Sequence, residues 1–175
     1  MTNKGLIHLY TGDGKGKTSA AVGLAVRAVG AGMKVLFVQF LKGGDSGELA
    51  PLRQLDVQTL CCEGPVKFVF QMDNAEKEQY HVRQANLLQQ AAAWCTQKEI
   101  DVLVLDEVLG ALETGMVDEE EVCRFLDQKP EGLEVVLTGR EAPASLRERA
   151  QYISEIACVA HPFAQGMPAR KGIEW

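Results

Sequence analysis

The chain has 175 residues and a mass of 19.1 kDa, which is the usual size of one domain with its own buried core. Its 46% hydrophobic and 24% charged residues exclude a disordered or fibrous protein. A net charge of -6 without any basic run argues against nucleic acid as a partner. No apolar stretch approaches the roughly 20 residues that cross a bilayer, so we expect a cytoplasmic protein with no membrane partner.

Short apolar runs alternate with segments of helical period along the chain. The runs predict strands at residues 5–10, 34–40, 57–61, 101–105, 133–138 and 152–159. The other segments predict helices at residues 17–31, from 73 to about 98, from 118 onward and from 143 to about 150. Two capping-box patterns, Asp73 with Glu76 and Asp118 with Glu121, mark the second and third helices. The alternation predicts an α/β fold with a mostly parallel sheet, in a single domain that spans residues 1–175.

A glycine-rich segment, TGDGKGKTS at residues 11–19, joins the first predicted strand to the first predicted helix. In that position, backbone N–H groups and a helix N-terminus converge on one anion, as in a P-loop. We expect Lys17 to reach phosphate oxygens and Thr18 to ligate Mg²⁺. Thr11 replaces the first glycine of the usual P-loop pattern. A glycine-rich turn without a ligand is the alternative, and the position of GKT at the helix start favours phosphate binding.

Two aromatic residues, Phe68 and Phe70, follow a break in the chain at Gly64 and Pro65. Their spacing puts both rings on one side of an extended chain. From the residues alone, the favoured interpretation is that these rings enter the core or a dimer contact.

Two acidic residues, Asp106 and Glu107, end the apolar run VLVL. At the carboxyl edge of a parallel sheet they would face the same crevice as the phosphate loop. We expect them to bind Mg²⁺ or its water shell, with a solvated turn as the alternative. Glu107 alone would also suit an ATPase, because an acid in this position often polarises water.

One arginine, Arg140, follows the fifth predicted strand in the segment LTGREAP. Side chains at this edge enter the same crevice, so Arg140 is a candidate to neutralise phosphate or a bound group's acidic substituents. A solvent-exposed arginine in a turn is the alternative. A histidine further on, His161 in HPF, is predicted to order the C-terminal loop.

Four separated segments resemble the P-loop type of ATP:corrinoid adenosyltransferase. They are residues 11–30, VQFLKG at 38–43 followed by GE at 47–48, VLDE at 104–107, and LTGREAP at 137–143, with HPF and KGIEW closing the chain. The resemblance extends from residue 9 to residue 175 and implies a P-loop NTPase-like three-layer fold. It implies that cobalt in the Co(I) state of a reduced corrinoid attacks the 5′-carbon of ATP, giving an adenosylated corrinoid and inorganic triphosphate.

The resemblance also implies roles for individual residues. Lys17, Thr18 and Glu107 would be catalytic, and Thr18, Asp106 and Glu107 would hold Mg²⁺. The ATP-binding residues would be Gly12, Asp13, Gly14, Lys15, Gly16, Lys17, Thr18, Ser19, Arg27 and Arg140. Without the resemblance, Arg27 is equally well interpreted as an exposed charge on a helix.

For the aromatic pair, the resemblance reverses the interpretation from the residues alone. Phe68 and Phe70 resemble the family's pair that packs against the lower face of the corrinoid. An axial base makes Co(II) hard to reduce. An apolar wall without cobalt ligands would displace that base and make Co(I) more accessible. Phe70 stands where several relatives have tryptophan, and Asp13 where relatives often have asparagine.

The expected partners are ATP, a corrinoid of the cobalamin or cobinamide type, an electron-donating flavoprotein and a second copy in a homodimer. Two other functions stay open at this point. A kinase or ATPase would use GKT and the acid pair and release ADP. A nucleotide-dependent binding module would use ATP to hold loops for a partner.

Overall fold

The computed structural model describes residues 4–62, 64 and 66–174. Its centre is a sheet of six strands in the order β3-β2-β4-β5-β1-β6, and every neighbouring pair is parallel. The strands are β1 Ile7–Thr11, β2 Val35–Gln39, β3 Gln58–Cys61, β4 Val102–Asp106, β5 Glu134–Thr138 and β6 Tyr152–Glu155. All six strands were predicted from the apolar runs, although β6 ends at Glu155 and not at residue 159. The predictions that involve residues 1–3, Pro65 and Trp175 concern positions outside the described residues.

Six helices connect the strands. They are α1 Lys17–Gly30, α2 Leu49–Gln54, α3 Asn74–Gln97, α4 Val108–Glu113, α5 Glu119–Gln128 and α6 Ala144–Arg149. Two short 3₁₀ turns, Val69–Gln71 and Pro162–Gln165, complete the assignment of the described part of the chain. The sequence predicted α1, α3, α5 and α6. It did not predict α2 and α4, which have six residues each and are too short to show a helical period; α6 is as short, but Pro143 marked its start.

The two predicted capping boxes have different outcomes. At the start of α3, Asp73 accepts a hydrogen bond from the N–H of Glu76, and the Glu76 carboxylate accepts one from the N–H of Asp73. This box is confirmed. At the start of α5, Asp118 is the N-cap residue but forms no side-chain hydrogen bond there, so the box predicted with Glu121 is wrong. Pro143 precedes α6 as its N-cap residue and does not occupy its first turn.

Helices cover both faces of the sheet, which gives three layers. On one face, α1 presents Ala21, Ala25 and Ala28, spaced to share one side of the helix, to the buried side chains of β2, β4 and β5. Small side chains let this helix lie close to the sheet. On the other face, leucines of the sheet pack against α3, α4, α5 and α6. The predicted three-layer α/β fold is confirmed.

The parallel arrangement brings the carboxyl ends of the strands to one edge. The glycine-rich loop follows β1 at that edge, Asp106 ends β4 and Thr138 ends β5. Because β5 lies between β1 and β4, Thr138 stands between the loop and the acid pair. Within the described ranges, no helix combines the length and the apolar character needed to span a membrane.

Candidate functional site

The glycine-rich loop is fixed by contacts with its neighbours at the sheet edge. The N–H of Gly12 donates to the carbonyl oxygen of Arg140, and that of Gly14 donates to the carbonyl oxygen of Ile156, both at 2.8 Å. Gly12 has a φ of 103°, and a Cβ there would clash with the Ile156 carbonyl. Only glycine combines an unstrained positive φ with the absence of a Cβ. The loop therefore keeps one shape at the start of α1.

Lys17, the first residue of α1, folds back over this loop. Its ammonium donates to the carbonyl oxygens of Gly12 at 2.6 Å and Gly14 at 2.8 Å. Both contacts hold the positive charge inside the concave side of the loop. No side chain in the described part of the chain caps α1, so its first N–H groups are available to an anion.

Asp106 is the centre of a buried hydrogen-bond network. Its side chain has no solvent exposure. Oδ1 accepts hydrogen bonds from the hydroxyls of Thr18 and Thr138, each at 2.8 Å. Oδ2 accepts one from the Lys42 ammonium at 3.1 Å and a longer one from the Gln39 amide at 3.4 Å. A buried carboxylate requires such partners, because burial of an unpaired charge is costly.

Glu107 follows Asp106 directly, but its backbone leaves the extended conformation of β4. It has left-handed backbone angles, with a φ of 61°, and its N–H donates to the Thr138 hydroxyl at 2.9 Å. Burial raises the pKa of its carboxyl, and the negative charge of Asp106 raises it further, against the nearby cations Lys42, Lys17 and Arg140. The two acids thus have separate environments, although they are adjacent in sequence.

A cavity of about 310 Å³ lies above the glycine-rich loop. It brings together most of the residues that the sequence singled out for the nucleotide. These are Asp13, Gly14, Lys15, Gly16, Lys17, Thr18, Ser19, Glu107 and Arg140. His161 and the C-terminal residues Ile173 and Glu174 also line it.

Arg27 lies outside this cavity. It follows Lys17 by ten residues in α1, which is roughly 15 Å along a helix at 1.5 Å per residue. Its side chain is exposed, and it lowers the pKa of Tyr10 against the larger effect of burial, which raises it. Its exposure is that of a charge on a helix surface, and its contact with the nucleotide stays a prediction.

The donor set around Thr18 suits Mg²⁺. This ion takes oxygen ligands and is commonly held by one or two carboxylates together with phosphate oxygens. The Thr18 hydroxyl and the Asp106 carboxylate are already in contact, and the Glu107 carboxyl borders the cavity beside them. The oxygens of these three residues are therefore of the kind that this ion takes as ligands.

The aromatic pair is exposed, so the interpretation as core residues is wrong. Phe68 is 70% exposed and Phe70 is 80% exposed. Their rings stack with centroids 5.4 Å apart and an angle of 15° between planes. The sequence predicted rings on one side of an extended chain, but the 3₁₀ turn Val69–Gln71 brings them together. Both rings line a cavity of about 380 Å³ that also contacts Leu41.

Two consecutive residues connect the aromatic cavity to the acid site. Leu41 lines the aromatic cavity, and Lys42 contacts Asp106. Leu41 has a left-handed φ of 58°, and its N–H donates to the buried side chain of Gln84 at 3.2 Å. This turn directs the two side chains to different cavities. Lys42 belongs to the segment VQFLKG but was not predicted as a site residue; its place three residues after β2, at the edge where the strands end, is the signal that points to it.

The C-terminal segment closes one side of the phosphate cavity. His161 Nδ1 accepts a hydrogen bond from the N–H of Phe163 at 3.2 Å, as expected of a residue that orders this loop. Asp13 accepts one from the N–H of Cys158 at 3.0 Å. Further on, Arg170 holds Glu174 through its guanidinium, which lowers the pKa of that carboxyl to about 2.

The fold is similar to that of a solved structure described as the cytoplasmic domain of EssC. The TM-score is 0.54 at 14% sequence identity, and the match covers 98% of this chain and 35% of that one. This likeness concerns the fold alone, which is of the P-loop NTPase-like three-layer type.

Sequence comparison is more specific. The corrinoid adenosyltransferase of Pseudomonas aeruginosa is 32% identical over 179 residues, covering 98% of this chain and 84% of the relative. That of Escherichia coli K12 is 34% identical over 176 residues, with 98% and 86% covered. The corrinoid adenosyltransferase CobA of Salmonella typhimurium is 32% identical over 182 residues, with the same coverage. Residues 3–175 match the family described as ATP:corrinoid adenosyltransferase BtuR/CobO/CobP. The chain therefore belongs to the ATP:corrinoid adenosyltransferase family and is a transferase that adenosylates corrinoids with ATP.

Proposed function

We propose that this chain transfers the 5′-deoxyadenosyl group of ATP to Co(I) of a reduced corrinoid and releases inorganic triphosphate. The bond between the 5′-carbon and its oxygen breaks, and a bond between cobalt and that carbon forms. Triphosphate leaves with the electron pair of the broken bond. One observation carries the proposal: Leu41 lines an exposed apolar cavity, and the next residue, Lys42, contacts Asp106 and shares a second cavity with Thr18 of the phosphate loop. A kinase or ATPase has no need of the first cavity.

The phosphate cavity has the charges that a triphosphate leaving group requires. Lys17 and the N–H groups at the start of α1 would stabilise negative charge as it develops. Lys15 and Arg140 add two exposed cations at the rim of the cavity. Triphosphate carries more charge after the bond breaks than before, so these contacts favour the transition state over bound ATP.

Thr18, Asp106 and Glu107 would hold Mg²⁺. The ion, when bound, supplies positive charge to the triphosphate. Asp106 would bind it from a fixed position, since the hydrogen bond from Thr138 holds the carboxylate. Glu107 would act at the border of the cavity, where its raised pKa marks a less hydrated carboxyl.

Phe68 and Phe70 would form the wall against the lower face of the corrinoid. The stacked rings offer a flat apolar surface without any atom that ligates cobalt. Such a surface would exclude water and the axial base, which favours Co(I). Their exposure supports this role, because the rings bury little surface in the chain itself.

Several broader expectations are part of the same proposal. The chain would act in cobalamin biosynthesis as one domain over residues 1–175, in the cytoplasm and as a homodimer. A flavoprotein would deliver the electron to the corrinoid. These points come from the resemblance to the family.

An anaerobic assay tests the reaction. Mg·ATP and chemically reduced cobalamin are mixed with the protein, the visible spectrum of the corrinoid is followed, and the phosphate product is identified. We expect adenosylcobalamin with stoichiometric triphosphate. ADP and phosphate with an unchanged corrinoid would replace this proposal with the ATPase or kinase function.

A further inference from the structure

The cation in contact with the buried Asp106 is Lys42, a residue outside the glycine-rich loop. The P-loop lysine, Lys17, bonds to carbonyl oxygens of its own loop and makes no hydrogen bond to Asp106 among the described contacts. Lys42 approaches Oδ2, whereas Thr18 and Thr138 both bond to Oδ1. The carboxylate therefore has one oxygen held by hydroxyls and the other held mainly by an ammonium group.

Lys42 also has a second acidic neighbour. Its ammonium lies 3.6 Å from Oε1 of Glu48, compared with 3.1 Å from Asp106. The same Glu48 oxygen accepts a hydrogen bond from the amide of Gln39, which fixes the position of the carboxylate. The lysine therefore lies between two carboxylates, and a small movement changes which of them is its closer partner.

We propose that Lys42 is a positioning residue that neutralises Asp106 in the metal-free protein and moves to Glu48 when Mg²⁺ binds. This inference rests on the proposed Mg²⁺ site at Asp106. An ammonium group and a divalent cation on one buried carboxylate repel each other. Lys42 would then be both a substitute for the ion and a competitor with it, and Glu48 would lower the cost of the exchange by accepting the displaced ammonium.

The surrounding chain allows this movement. The Lys42 ammonium already lies within 3.6 Å of the Glu48 carboxylate, so the exchange needs a movement of the side chain alone. Lys42 and Glu48 both line a cavity of about 560 Å³ that also includes Thr18. The exchange would therefore occur beside the nucleotide, one residue from the wall of the aromatic cavity.

Two substitutions separate the roles of Lys42 and Glu48. Lys42→Met keeps the length of the side chain and removes the competing charge. Glu48→Gln keeps an oxygen for Gln39 and weakens the alternative partner of Lys42. Lys34→Met is a matched control, because Lys34 forms an exposed ion pair with Glu99 at 3.2 Å at the amino end of β2, opposite to the sheet edge that carries the site.

The measured quantity is the ratio of the dissociation constants of ATP without and with Mg²⁺, obtained by calorimetry without corrinoid. A direct contact between Lys42 and triphosphate affects both constants, so the ratio isolates the exchange. We expect Lys42→Met to raise the ratio about tenfold, the effect of one charged hydrogen bond, and Glu48→Gln to lower it. We also expect Lys42→Met to lower the melting temperature of the metal-free protein more than that of the Mg·ATP complex.

An unchanged ratio in both variants, with equal losses of melting temperature in both states, would show a merely structural lysine and overturn the inference. If Lys42→Met does not fold, Glu48→Gln decides, since it leaves every partner of Asp106 in place. The binding ratio needs no turnover. The variants could show the expected ratios while the wild-type protein forms no adenosylcobalamin. That outcome would contradict the proposed reaction and still support the lysine exchange.

Discussion

The Thr18 hydroxyl donates a 2.8 Å hydrogen bond to Oδ1 of Asp106, a residue 88 positions later in the chain. The bond joins the start of α1 to the end of β4, across the intervening strand β5. Thr138 on β5 bonds to the same oxygen and completes the junction. The phosphate loop and the acid pair are thus one hydrogen-bonded unit.

Removal of the Thr18 hydroxyl should disable this unit. We expect Thr18→Ala to slow adenosyl transfer by about 10²-fold or more at saturating Mg·ATP, because a ligand of the ion and a partner of Asp106 are both lost. Thr18→Ser keeps the hydroxyl and is the control. Initial rates of adenosylcobalamin formation provide the measurement, and equal rates in the two variants would exclude a role for the hydroxyl.

The aromatic wall predicts a dependence on the oxidation state of cobalt. Phe68→Ala or Phe70→Ala should slow the reaction from Co(II) with a biological reductant more than the reaction from chemically prepared Co(I). Equal losses from the two starting states would contradict the axial-ligand argument. Both rings are largely exposed, so we expect the free energy of unfolding to change by no more than about 0.5 kcal/mol. Val159→Ala, another exposed apolar side chain, is the control.

Two glycines should respond in opposite ways to alanine. Gly12→Ala introduces a Cβ against the Ile156 carbonyl at a positive φ, so we expect it to abolish measurable ATP binding. Gly23, inside α1, has no atom within 4 Å of a built Cβ. Gly23→Ala should stabilise the protein by about 0.5–1 kcal/mol and leave ATP binding unchanged. Calorimetry and urea denaturation test both, and normal ATP affinity in Gly12→Ala would refute the required loop shape.

The two helix starts offer a test of capping. Asp73→Ala removes a formed capping bond and should lower the free energy of unfolding by about 1 kcal/mol. Asp118→Ala removes no such bond and should cost less, about 0.3–0.5 kcal/mol through the helix dipole. Urea midpoints at constant slope give the comparison. A larger loss at Asp118 than at Asp73 would be incompatible with the two geometries.

The sequence was sufficient for the features that are local. Apolar runs identified the six strands, and the position of GKT between a strand and a helix identified the phosphate loop. The helices α2 and α4 have six residues and no side-chain capping bond, and no proline marks their first residue as Pro143 marks the start of the equally short α6, so they were not predicted. The 3₁₀ turn Val69–Gln71 was also unpredicted, although the rings it orients were singled out.

Features that depend on strand order were beyond the sequence. Lys42 reaches Asp106 because β2 and β4 are neighbours in the sheet, and no local pattern specifies that pairing. Thr138 bridges the loop and the acid because β5 lies between their strands. Arg27 is exposed on α1, outside the cavity above the loop, and its contact with the nucleotide stays a prediction.

The strand order has a consequence for the protein during its synthesis. β1 and the glycine-rich loop leave the ribosome before the two strands that flank β1, which are both encoded after residue 133. Until β5 has been made, neither Asp106 nor Thr138 is held beside Thr18. A nascent chain therefore carries its nucleotide motif without a complete nucleotide site until β5 and β6 have been made, and ATP becomes a stabilising ligand only then.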